Sequence, residues 1–231
     1  MATKHRWLRL RLPRKGSGLE PALAELCRDT EGFERLDPQD RYPRYQYTWS
    51  QHIPLVKRGE VGGFEEFTVE VSVFVRFLVD ESLSHCLIRV DDPPRSIGPL
   101  ISRLEAHFGV GFAAEKVVAT SSVVRQVLAA FDGSKMKSAS IPGIRLSQHV
   151  MGSLDLTTDT EIELDKLPVP SLPNLELSRG SYRLRLGGIE GDFAFSSQGL
   201  FTVRGALAPR ILETIHGVLI KYEGSESSQP S

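Results

Sequence analysis

From His5 to Leu12 apolar and polar residues alternate, with Leu8, Leu10 and Leu12 against Trp7, Arg9 and Arg11. That is the period-two pattern of a half-buried strand. Pro13 and Gly16-Ser17-Gly18 interrupt it, and Leu19, Ala22, Leu23, Leu26 and Cys27 then recur at helical spacing toward Gly32. Asp37 to Pro43 reads as a turn-rich connector. Tyr45, Tyr47 and Trp49 alternate with Gln46 and Thr48, which predicts a strand with one aromatic face. Lys57 to Gly63 predicts a loop. The run from Phe67 to Asp80 is the strongest strand signal, with Val69, Val71, Val73, Val75 and Phe77 on one side, and is expected at the centre of a sheet.

Cys86 to Val90 predicts a further strand, stopped by Asp91-Asp92-Pro93-Pro94 because proline cannot donate to a ladder. Ser96 is placed to cap a helix with Pro99 in its first turn and Leu100, Ile101, Leu104 and Phe108 as its buried stripe. Val117 to Phe131 is a second helical segment, with β-branched residues that lower its propensity. Asp132 to Gly143 is rich in glycine, serine and lysine, and Leu167 to Asn174 holds Pro168, Pro170 and Pro173. These two stretches are the candidate boundaries. They divide the chain into an α+β half over 1–131 and a β-rich half over 144–222 that closes with a helix, the two sharing one core.

Between the boundaries, Leu154 to Leu164 alternates leucine and isoleucine with acidic residues, as in one or two exposed strands. The last forty residues predict strands over Tyr182 to Leu186, Asp192 to Ser196 and Leu200 to Arg204. A helix follows from Pro209 to Tyr222, with Ile211, Ile215, Leu219 and Tyr222 on its apolar face. Phe74 to Phe108 has a similar order, which suggests a duplicated hairpin-plus-helix. The tail over 223–231 is expected to be disordered. The fold class expected is α+β, an antiparallel curved sheet with helices packed on one face.

Composition narrows the function classes. Lys plus Arg number 28 against 29 for Asp plus Glu, a net charge of −1, so no global field draws the chain to nucleic acid or to an anionic membrane. Any such attraction must be local. With 40% apolar residues the chain can bury a core. Cys27 and Cys86 are its two cysteines, which excludes a disulfide framework and fits a reducing cytoplasm. No apolar run approaches the length of a membrane helix, and Lys4, Arg6, Arg9 and Arg11 break up the N-terminal leucines where a signal peptide would need an apolar core. A soluble protein without membrane attachment is expected.

The segment FAFSSQGLFTVRGALAPRILETIHGVLIKY resembles the closing hairpin and helix of a TATA-box-binding-protein-like half, through Ser196, Ser197, Gly199, Val203, Gly205 and Ala206. The resemblance covers under a fifth of the chain. It implies a curved antiparallel sheet with helices on the convex side and a concave face left for a ligand, which in that family is the DNA minor groove. The family's basic character is missing from the chain as a whole, and Pro93-Pro94 departs from its smooth lead into the helix.

The candidate chemistry is that of binding. Arg9 and Arg11 in one strand, and Arg183 and Arg185 in another, share an alternate spacing that would set arginines in rows able to bridge phosphates. Lys4, Arg6, Arg14 and Lys15 would extend the patch, though any solvent face of an antiparallel strand also needs charge. Tyr45, Tyr47 and Trp49, next to Tyr42 with Arg41 and Arg44 interleaved, have the composition of a stacking platform and equally that of a core or a protein interface. Asp155, Asp159, Glu161 and Glu163 form an acidic stretch, without a base until Lys166, suited to a basic partner.

The acidic pairs lack nuclease spacing. The six histidines, His5, His52, His85, His107, His149 and His216, stand singly without metal-ligand spacing. There is no Gly-x-Ser-x-Gly elbow and no phosphate-cradling loop. No cofactor and no metal is expected. The expectation is a non-catalytic binding module contacting nucleic acid, or working within a nucleic-acid-processing assembly, through a basic sheet face at Arg6, Arg9, Arg11, Arg183 and Arg185. The alternatives are an adaptor or structural subunit of a protein complex and an enzyme of unrecognised type.

Overall fold

The computed structural model describes residues 1–13, 18–37, 42–58, 62–81, 86–145, 151–163 and 177–226. Arg14, Lys15, Arg41, Asp165, Lys166, the proline-rich boundary over 167–174 and the end of the tail lie outside them. Among the described residues the chain is α+β, with eleven strands and four helices. No described helix is long and apolar enough to cross a membrane.

In chain order the elements are β1 (Thr3–Arg11), α1 (Leu19–Asp29), β2 (Phe33–Asp37), β3 (Arg44–Arg58), β4 (Phe64–Asp80), β5 (Cys86–Asp91) and α2 (Gly98–Phe108). Then come β6 (Ala113–Lys116), α3 (Ser121–Leu128), β7 (Gly133–Arg145), β8 (Met151–Thr157), β9 (Arg179–Leu186), β10 (Ile189–Ser196), β11 (Leu200–Gly205) and α4 (Ala208–Glu226). The series from β1 to α2 is strand, helix, four strands, helix, and the series from β6 to α4 repeats it with one more strand.

Two compact units divide the chain: an inner unit, Trp7–Glu115, and a split unit made of Met1–Arg6 and Lys116–Ser231. The change falls inside β1 and β6, not at Asp132 to Gly143. That stretch is strand β7, paired to β8 on one side and to β9 on the other. A ladder on both sides overrides its weak strand propensity, and Pro142 is accommodated where the register with β8 shifts between Ile141 and Ile144.

In the inner unit the strand order is β2-β3-β4-β5-β1, and β6 also pairs with β1. Tyr45, Val75, Phe77, Val79, Ile88 and Val90 lie on one face. With Leu19, Leu23 and Leu26 of α1 and Leu100 and Leu104 of α2 they make one core. Leu8 and Leu10 of β1 join it as their alternation predicts, but Trp7 is also fully buried, so β1 is apolar on both sides at that point. Helix α1 has Gly18 at its N-cap and no capping side chain of its own. The Glu81 carboxylate, from the end of β4, accepts from Leu19 N and Glu20 N instead, at 2.5 and 3.1 Å, where orphan amides and the helix dipole both favour an anion.

In the split unit Thr3–Arg6 of β1 pairs with β11, and the order continues β11-β10-β9-β7-β8. Phe201, Phe193, Phe195 and Tyr182 stack ring to ring on one face. Helix α4 lies on that face: a Cβ at Gly191 would stand 2.7 Å from Leu207 Cβ and 3.4 Å from Ile211 Cδ1. Ile211, Ile215 and Leu219 are buried as their spacing predicts. Helix α3 is shorter than its sequence pattern, because Thr120 caps it by accepting from Val123 N at 3.3 Å. At the β10–β11 turn Gly199 has φ +74°, and a side chain there would run into the Val117 carbonyl.

Candidate functional site

The strands β1, β11, β10, β9 and β7 of the split unit put alternate residues on opposite faces. The face away from α4 follows from the register. One row across the strands runs Arg6, Leu200, Ser196, Arg179 and Ser140, and the next runs Lys4, Thr202, Ala194, Ser181 and Ser138. A third runs Arg204, Asp192, Arg183 and Lys135, and a fourth holds Glu190 and Arg185. A band of small and hydroxyl residues is therefore flanked by two basic rows about 13 Å apart along the strands.

Ser138 Oγ and Ser181 Oγ are 2.6 Å apart in the band, and Arg183 Nε donates to Asp192 Oδ1 at 3.2 Å beside it. One of the five N–H donors of Arg183 is thereby engaged. Arg179, Arg183, Arg185, Arg204, Lys4 and Lys135 are exposed, and Arg6 is half-buried. Its Nε is buried with no hydrogen-bond partner. A hollow of about 370 Å³ opens over the β7 side, between Ser181, Arg183 and Asp192 on the strands and Lys137, Thr158 and Asp159 beside them.

Lys137 sits where the β7–β9 register shifts between Met136 and Ser138. The extra residue re-aims its side chain. Its Nζ donates to the carbonyls of Asp159 and Thr160, both at 2.6 Å. Thr158 N and Ile162 N donate back to Lys137 O and Met136 O. The segment after β8 is thus tied to the bulge, with Asp159, Glu161 and Glu163 exposed beyond it. Asp155 stands on β8 opposite Ser140, on the same face as the basic rows.

The predicted arginines separate into two groups. Arg6, Arg183 and Arg185 share the polar face of the split unit, across the two intervening strands β11 and β10. Arg9 and Arg11 belong to the inner unit. Arg9 is three residues from Arg6 in one strand, so the two point to opposite faces. Arg9 is half-buried, and Arg11 lies 3.8 Å from Glu115. Tyr45 is 1% exposed and stacked on Phe77, so it belongs to the core. Tyr47 is stacked between Phe33 and Trp49, and both Tyr47 and Trp49 are half-buried.

Lys135, Arg179 and Arg204 were not singled out in the sequence. Arg179 was within reach, since extending the alternation of Arg185 and Arg183 back through Ser181 arrives at it. Lys135 was hidden because β7 does not look like a strand. Among the described residues no three His, Cys, Asp or Glu side chains group as a metal site. The thiols are poorly disposed to react: burial pushes both Cys86 and Cys27 up from the ordinary thiol range.

No family model and no curated protein matches the chain. Among solved structures it is similar to the crystal structure of DynU16, from the dynemicin biosynthetic locus, with 11% identity, 92% of each chain covered and a TM-score of 0.17. A likeness of that size carries no assignment of fold or function.

Proposed function

We propose that the chain is a nucleic-acid-binding module whose contact surface is the polar face of the split unit. The observation that carries this is a local reversal of charge. Lys4, Arg6, Lys135, Arg179, Arg183, Arg185 and Arg204 share one face with Asp192, Glu190 and Asp155, in a chain whose net charge is −1. Solubility alone asks for charge of either sign, not for this bias. Among the described residues the face carries no aromatic side chain, because Tyr182, Phe193, Phe195 and Phe201 all lie on the other one. Contacts would therefore go to phosphates and not to stacked bases, giving sequence-tolerant and strongly salt-dependent binding.

The likeness of the β10–β11 hairpin and α4 to a TATA-box-binding-protein-like half points the same way, as does the recurrence of strands and a closing helix in β4-β5-α2, which we read as a duplication. The test is a titration of short single-stranded and duplex oligonucleotides at increasing salt. With about four phosphates engaged, log K falls against log salt with a slope of about −3 to −4. Arg183→Ala/Arg185→Ala lowers the slope by about 1 to 2 and affinity about tenfold at low salt, and Arg11→Ala changes neither. The absence of any shift at low salt, or a double variant behaving as wild type, overturns the assignment.

The adaptor alternative draws on Lys137, which fixes the acidic segment Asp159–Glu163 against β7 with its carboxylates exposed. A basic protein partner would meet it there, and Glu161→Lys/Glu163→Lys would abolish that contact in a pull-down while leaving oligonucleotide binding in place.

A further inference from the structure

The basic face also carries acids, and phosphate binding alone has no use for them. Asp192, Glu190 and Asp155 share the face of the arginine rows, and Asp159 lines the hollow over β7 together with Asp192. A carboxylate repels a phosphate and only accepts hydrogen bonds. Along a DNA backbone, phosphates and deoxyribose present it no donor. RNA differs at one group: the ribose 2′-hydroxyl both donates and accepts.

The hollow opens where the hydroxyl band meets the row of Arg183, and donors stand beside its acids. Its volume, about 370 Å³, is that of a small-ligand site. Asp192 uses Oδ1 on a single N–H of Arg183, whereas a carboxylate accepts at about four positions. Lys137 Nζ gives two N–H donors to the carbonyls of Asp159 and Thr160, and an ammonium has a third. Between Ser138 Oγ and Ser181 Oγ one hydroxyl proton is shared, which leaves the other hydroxyl's proton for a ligand. A phosphate, acceptor only, fits half of this mixture. A sugar hydroxyl fits both halves.

We propose that the hollow receives a ribose 2′-hydroxyl, which donates to Asp192 while Arg183 and Lys137 hold the adjoining phosphates. The strand bound by the basic face is then RNA, a step that rests on the nucleic-acid reading above and narrows it to one sugar. The hairpin resemblance implies DNA instead, and the 2′-hydroxyl decides between them.

The experiment measures fluorescence anisotropy of three labelled single strands of about twelve nucleotides with the full chain at low salt. They are oligouridine, oligodeoxyuridine and 2′-O-methyl oligouridine, which share bases and phosphates. The methyl ether keeps the 2′-oxygen and removes its donor. Oligouridine is expected to bind about tenfold tighter than either of the others, the worth of one hydrogen bond to a charged group. Asp192→Ala brings the three to within about twofold of one another. It does so by weakening oligouridine and strengthening oligodeoxyuridine, because a repelling carboxylate is gone and Arg183 is released.

Equal affinity of the wild type for all three strands overturns the RNA assignment and leaves phosphate binding standing. So does a 2′-O-methyl strand that binds as tightly as oligouridine, or a preference that survives Asp192→Ala. Binding of none of the three removes the nucleic-acid reading and the RNA assignment together.

Discussion

The β3–β4 ribbon and the β9–β10–β11 strands have the same grammar, apolar residues alternating with polar ones, and different fates. In the split unit α4 covers the apolar face, and Phe193 and Phe201 are fully buried. In the outer ribbon Val69, Val71 and Val73 keep the same alternation, but Phe67 remains 45% exposed. Alternation specifies that a strand has two chemically distinct faces. It does not say what, if anything, lies on the apolar one.

The contrast can be broken most forcefully by truncation. Phe193→Ala should cost about 3 to 5 kcal/mol in denaturant unfolding, whereas Phe67→Ala, at a side chain 45% exposed, should cost under about 1. Equal losses would mean that the outer ribbon is packed in solution. Alkaline pH offers a second handle. Burial pushes Tyr182 from 10 up to about 12, so below pH 10 it is neutral in both folded and unfolded chains and has no effect on the pH dependence. Between pH 10 and 12 only the unfolded chain ionises, and about 2 to 3 kcal/mol of stability is lost. Tyr182→Phe should remove that part of the alkaline decline.

Glycine substitution sharpens the same comparison at smaller scale. Gly191→Ala puts a Cβ 2.7 Å from Leu207 Cβ under α4 and should cost about 1 to 3 kcal/mol. At Gly63, before β4, a Cβ meets nothing within 4 Å, and the change should stay within about 0.5 kcal/mol. Thermal unfolding of the two variants checks both.

Much of the local structure was legible. The stripe of α1, the hairpin β10–β11, the face of α4 and the span of β5 follow from spacing, because side chains that share a face must recur at the period of their element. β2 was missed because Phe33 to Asp37 is short and charged, and its pairing with β3 defines it. β7 reads as a candidate boundary in the sequence since glycine, serine and lysine carry little strand preference of their own. The basic face was half visible: Arg6, Arg183 and Arg185 stand together in the sequence reading, but Lys135 and Arg204 are joined to them only through register.

By itself, then, the sequence determined which residues alternate, which faces of α1 and α4 are apolar, and that the chain has no metal-ligand spacing or nucleophile motif. These are short-range properties, set by backbone period and local chemistry. Only the tertiary structure decided that Arg6 shares a face with Arg183, that β7 is an inner strand, and that α4 covers one apolar face while the outer ribbon stays exposed at Phe67. Strand partners are chosen by packing between residues far apart in the chain, and each choice of register sends every second side chain to one face or the other.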